Sequence, residues 1–201
     1  MKFATEPASL VTFAALLIGW LSFIFIFMFR KKSPHSPARK RNRTSLAGIA
    51  LQGASYGVVW AAPAVPRNAF ASLAPFDKAG GIAVAIITSV LVIGSIWIIN
   101  AAVRTLGKEW SLTARLIDEH RLVTEGAYKI VRHPIYTGML GMLLATGLAF
   151  NRLSALMLAM IIFGVGTIIR VRSEEKLLRG AFGAEYDAYA KRVPAILPFL
   201  I

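Results

Sequence analysis

The sequence predicts an all-α integral membrane protein of five transmembrane helices with a polar C-terminal region on the cytoplasmic side. Three observations carry this. Of 201 residues, 56% are hydrophobic and 16% charged, with a mean hydropathy of +0.61, whereas a soluble chain carries about 25% charged residues. Uncharged apolar runs recur, several of them near the length of about 20 residues that crosses a bilayer as helix. The basic residues, 23 Lys and Arg against 10 Asp and Glu for a net charge of +13, collect in alternate connections between those runs.

The elements follow in order. Ser9 to Phe29 is the first span, aromatic-rich and uncharged. Only Lys2 precedes it as a base, and the charges come after it, the reverse of a secretory signal, so it is expected to remain as a helix. Ser45 to Val65 is the second span, and its Gly53 and Gly57 form a small-xxx-small pair suited to close helix packing. Ile82 to Val103 is the third. Ile135 to Phe150 is a shorter fourth, and Asn151-Arg152 turns it into the fifth, Leu153 to Ile169. Two regions result: 1–103, three spans with a basic loop over 30–44, and 104–201, a connector, a helical hairpin over 135–170 and a C-terminal helix.

Seven bases fall in Arg30 to Arg43, six in Arg104 to Arg132 and six in Arg170 to Arg192. Bases favour the cytoplasmic side, which places the N-terminus outside and the C-terminus in the cytoplasm. The charge is then a topology signal that also meets anionic headgroups, and nucleic acid is not expected as a partner. The absence of cysteine excludes disulfides, thiolate zinc sites and a cysteine nucleophile.

Chemistry concentrates after residue 104. Gln52 and Asn100, polar residues within spans, are expected to make helix–helix hydrogen bonds. One cluster runs from Glu119-His120-Arg121-Leu122-Val123-Thr124-Glu125-Gly126-Ala127-Tyr128 to Arg132-His133-Pro134-Ile135-Tyr136. The other holds Glu174-Glu175, then Phe182-Gly183, Tyr186 and Val193-Pro194. A hairpin brings its two ends together, so Arg132 and His133 should lie near Glu174 and Glu175. Pro134 suits the first turn of a helix, and unbonded N–H groups there, with Arg132, should form an anion-binding corner. Successive glutamates point apart on a helix, so one of the two is expected to face the site. Tyr128 and Tyr136 suit either the site or an interfacial belt. His35, in the basic loop, is assigned no role. Three scattered histidines give no metal-ligand spacing, no G-x-S-x-G elbow occurs, and Gly164-Val165-Gly166 lacks the third glycine of a dinucleotide loop.

At these residues the sequence resembles the isoprenylcysteine carboxyl methyltransferase family of membrane enzymes. The matching pattern is Leu122-Val123-Thr124-Glu125-Gly126-x-Tyr128, Arg132-His133-Pro134-x-Tyr136-x-Gly138, Glu174-Glu175-x-x-Leu178, Phe182-Gly183-x-x-Tyr186-x-x-Tyr189 and Val193-Pro194. It covers about Ala101 to Ile201, and it departs at Ala127, where the family usually has proline. The resemblance implies S-adenosyl-L-methionine as cofactor, bound in the cytoplasmic C-terminal region. It implies that His120, Leu122, Val123, Gly126 and Tyr128 line the cofactor, that Arg132, His133, Pro134 and Tyr136 hold its polar end, and that Glu174 or Glu175 completes the site. Arg132, Glu174 and Glu175 are the catalytic candidates, and Arg132 suits the carboxylate of either cofactor or acceptor. The implied acceptor is a lipophilic or prenylated molecule arriving from the bilayer, and the expected location a bacterial inner membrane. The competing readings are a phospholipid amine N-methyltransferase, an NADPH-dependent sterol-type reductase and a scaffold without activity.

Overall fold

The computed structural model describes residues 7–28, 40–41, 44–62, 78–107, 115–116, 121–150 and 153–198. Among the described residues six α-helices form in chain order: α1 Pro7–Met28, α2 Thr44–Ala61, α3 Lys78–Leu106, α4 Pro134–Phe150, α5 Leu153–Phe182 and α6 Ala184–Ala190, with a 3-10 turn at Gly126–Lys129. The architecture is all-α as expected, and a two-residue antiparallel pair is its only strand pairing among the described residues. In it β1 (Lys40–Arg41) sets Lys40 opposite Leu116 and Arg41 opposite Arg115 of β2 (Arg115–Leu116), tying the α1–α2 loop to the connector before α4.

The helices pack α1 on α3, α3 on α4, α4 on α5 and α2 on α5. Their inward and outward faces invert the pattern of a soluble protein. Thr12, Ser45, Gln52, Ser55, Thr88, Ser95, Thr146 and Thr167 are buried, while Leu17, Ile18, Phe25, Ile86, Val90, Ile93, Trp97 and Ile161 lie exposed on the outside. An apolar exterior around a partly polar interior suits hydrocarbon as solvent, where interhelical hydrogen bonds replace hydrophobic contrast as the glue. Such bonds are present: Gln52 Nε2 donates to Thr167 Oγ1 at 2.9 Å, Trp20 Nε1 to Thr146 Oγ1 at 3.2 Å and the Tyr56 hydroxyl to the Met139 carbonyl at 2.6 Å. The molecule is an integral membrane protein.

Among the described residues three helices are long and apolar enough to cross a membrane, over Pro7–Met28, Ala79–Leu106 and Leu153–Phe182, where the sequence leads one to expect five. The other two fall short for different reasons. At 17 residues α4 is below that length, and α2 is diluted by Gln52, Tyr56 and its serines and glycines. The expected end of the second span, Val65, lies outside the described residues. The fifth helix does not stop at Ile169 but continues to Phe182, 30 residues in all. At 1.5 Å per residue it is about 45 Å long, against about 30 Å of hydrocarbon, so it is longer than a crossing requires, and its last third is polar. The Gly53 and Gly57 expectation is corrected, because among the described residues no atom outside their own stretch of helix lies within 4 Å of where their Cβ atoms would be. The close approach on α2 falls instead at Gly48.

Candidate active site

The site forms where the start of α4, the polar part of α5 and the C-terminal segment meet. Pro134 opens α4, and Arg132 and His133 enter it as loop residues. Helix α5 brings Arg170, Glu174 and Glu175 alongside them. Spacing of four residues places Arg170 and Glu174 on one face, and Arg170 Nη2 pairs with Glu174 Oε1 at 3.2 Å. Arg132 donates from Nε to Glu175 Oε1 at 3.0 Å, and its Nη2 lies 3.0 Å from the same oxygen. The proximity read from the hairpin is therefore what the fold contains.

His133 sits at the centre, 6% exposed. Its Nε2 is 3.2 Å from Glu175 Oε1 and its Nδ1 is 3.4 Å from Glu174 Oε2. Neutral imidazole carries a single N–H, whereas the protonated ring offers two, so this geometry favours the cation. Burial alone would lower the pKa of His133, but hydrogen bonds to Glu174 and Glu175 and the charges of both outweigh it and hold the pKa above its ordinary value. The expectation that one glutamate would face the site is corrected, since both reach the imidazole from opposite ring nitrogens.

Tyr136 stacks on His133, with centroids 5.5 Å apart and planes 11° from parallel, and its hydroxyl donates to Glu174. That hydroxyl also accepts from Arg170 Nε at 2.7 Å, and the Arg170 guanidinium carbon lies 4.9 Å from the Tyr136 ring centroid. Arg170, 6% exposed, is the residue that sequence reasoning missed. Two signals were present: it is the first charge after the fifth apolar run, and it stands one turn before Glu174.

The anion-binding corner is also corrected. The backbone N–H of Arg132 donates to the Pro194 carbonyl at 2.8 Å and that of His133 to Ala195 at 2.9 Å. Arg132 Nη1 donates to the carbonyls of Ala190, at 2.8 Å, and Val193, and Thr137 Oγ1 to that of Ile196 at 2.6 Å. The C-terminal segment supplies the acceptors a bound anion would otherwise provide.

The remaining sequence-predicted residues fall in two separate apolar clusters, with Gly126 at the surface. Val123 and Tyr128 are buried against Ala102 of α3, and Leu122 packs with Tyr186, Tyr189 and Val193. The Tyr189 hydroxyl donates to the Tyr128 carbonyl at 2.7 Å, so Tyr128 belongs to the interior and not to an interfacial belt. Gly126 is exposed with φ +60°, a conformation that favours glycine, and the turn forms with Ala127 in place of proline. His120 lies outside the described residues.

A family model described as phospholipid methyltransferase matches residues 83–185, half of the chain and all of α4 and the charged cluster. The chain belongs to the phospholipid methyltransferase family, and membership implies a methyl donor. It is similar to protein-S-isoprenylcysteine O-methyltransferase B of Arabidopsis thaliana, 36% identical over 104 residues that make up 50% of this chain and 52% of that protein. A probable protein-S-isoprenylcysteine O-methyltransferase of Oryza sativa subsp. indica is 34% identical over 113 residues, 55% of this chain and 58% of its own. The cobalt-zinc-cadmium resistance protein CzcN of Cupriavidus metallidurans is 30% identical over 103 residues, 51% of this chain and 47% of its own. The chain thus spans about half the length of the curated relatives it matches.

Proposed function

We propose that the protein is an S-adenosylmethionine-dependent methyltransferase of the membrane, acting on the carboxylate of a lipophilic, prenylcysteine-like acceptor. The observation that carries this reading is the paired-carboxylate cluster around His133, which lies within residues 83–185, the stretch that matches the family model. The donor set fits the cofactor at its cationic end. Glu174 and Glu175, with 24% and 15% of their side chains exposed, offer acceptors to an ammonium. At the anionic end the fit is narrower. Of the five guanidinium hydrogens of Arg132, the bonds to Glu175, Ala190 and Val193 use four, leaving one on Nη2 for a carboxylate. Leu122, Val123 and Tyr128 supply the apolar wall for an adenine.

The cofactor, when bound, supplies a methyl group on an already activated sulfonium. What remains for the protein is alignment and exclusion of water. An acceptor carboxylate is ionised at neutral pH and needs no general base, which agrees with a cluster whose carboxylates are already paired with cations. Five spans, with the N-terminus outside and the site facing the cytoplasm, complete the reading, together with a bacterial inner membrane as its place. On this topology the acceptor enters from the bilayer and the cofactor from water.

The family's own description supports a second reading, methylation of a phospholipid amine. Product chemistry separates the two, because base hydrolyses a methyl ester to volatile methanol and leaves an N-methyl group intact. With cofactor radiolabelled on its methyl, carboxyl methylation predicts label released by base from the lipid extract. Label retained in the lipid favours the amine.

A further inference from the structure

The family match begins at residue 83, so α2 lies outside it, yet α2 meets the charged cluster. Arg170 turns its guanidinium to Tyr136 and Glu174, and its stem crosses α2 at Gly48. A Cβ at Gly48 would stand 2.5 Å from Arg170 Cγ, 2.7 Å from the Gly166 carbonyl oxygen and 3.3 Å from the Arg170 nitrogen. Across the interface, a Cβ at Gly166 would lie 2.9 Å from both the Gly48 carbonyl oxygen and Leu51 Cβ. The two glycines let α2 and α5 touch where the Arg170 side chain departs. Among the described residues nothing crowds Gly53 and Gly57 on the same helix, so the close approach is particular to Gly48.

Any side chain at 48 must move the Arg170 stem or part the helices, and Arg170 is 6% exposed, with little room to adjust. Its Nε bond to the Tyr136 hydroxyl, 2.7 Å, depends steeply on distance and angle, and that hydroxyl in turn donates to Glu174. We propose that Gly48 is a positioning residue, whose missing side chain seats Arg170 so that Arg170 orients the Tyr136 hydroxyl and Glu174 for methyl transfer. This rests on the methyltransferase reading and makes α2 a wall of the working site.

The protein contains five tyrosines, so 3-fluorotyrosine labelling in detergent gives five resonances, with Tyr136 assigned by its loss in Tyr136→Phe. Gly48→Ala should move the Tyr136 resonance in the same direction as Arg170→Ala does, and Gly53→Ala should leave it in place. Turnover should fall by about 100-fold, the scale of an ångström misplacement. In an Arg170→Ala background, Gly48→Ala should lower turnover no further, whatever the approach to the Gly166 carbonyl costs in stability. An unmoved resonance in folded Gly48→Ala protein overturns the proposal, as does a loss that adds to that of Arg170→Ala. Should Gly48→Ala alone fail to fold, the Gly48→Ala/Arg170→Ala pair decides. Folding of the pair supports the proposal, and its failure reduces Gly48 to a contact of the Gly166 backbone. A moved resonance with no methyl transfer by the wild type supports the positioning and removes the methyltransferase reading.

Discussion

Arg132 illustrates how a residue with an obvious ligand role acquires a structural one first. Its contacts with Glu175, Ala190 and Val193 bind three separate stretches of chain together, and removing one partner leaves the others buried and unpaired. Breaking such a pair costs about 3–5 kcal/mol, so Arg132→Ala and Glu175→Ala should each lower turnover by 100-fold or more and also lower the melting temperature. Arg179→Ala, which removes a half-exposed pair with Asp187, should hardly change either quantity. His133 sets a pH dependence whose sign follows from its raised pKa. Its protonated form, faced by Glu174, Glu175, Arg132, Arg170 and Tyr136, stabilises the fold fully below the unfolded pKa of about 6.5. That contribution is lost as pH rises through the higher folded value. Thermal melts in detergent should therefore show a decline in stability above about pH 6.5, absent in His133→Gln.

Among the elements, the hairpin of α4 and α5 is what the sequence made most legible. Pro134 marks a helix start, the apolar run after Asn151-Arg152 marks the return, and the first charges beyond it mark the mouth, so the meeting of Arg132 and His133 with Glu174 and Glu175 follows from chain geometry. The contribution of residues 190–196 was not legible, because it is made by backbone carbonyls that carry no residue-type signal. Neither was the partner of α2, since Gly48, Gly53 and Gly57 look alike in sequence and only the rotation of α2 against α5 selects the first. Gln52 was readable as an interhelical bond but not as one to Thr167. That bond should be worth little on its own. Thr167→Val should destabilise the protein by about 0.6 kcal/mol, the average for hydrogen bonds between membrane helices, measured by unfolding in mixed micelles. A loss several times larger would mean that Gln52 organises more of the α2–α5 interface than one bond.

At the scale of the whole molecule, the apolar exterior and the length of α5 agree with the proposed placement of the charged cluster at a membrane boundary. Because the chain has no cysteine, Ser33→Cys, Ser72→Cys and Ala181→Cys can each be probed on intact cells with a membrane-impermeant thiol reagent. Only the Ser72→Cys protein should react, and labelling of Ala181→Cys from outside would reverse the proposed orientation. The central claim is that the mouth of the hairpin binds a cationic methyl donor through its carboxylates. Titration calorimetry of the purified protein in detergent tests this most directly. Adenosylmethionine and adenosylhomocysteine should both bind to the wild type, NADPH should not, and Glu175→Gln should abolish binding of the first two while remaining folded. Binding of NADPH, or adenosylmethionine binding unchanged in Glu175→Gln, would contradict it.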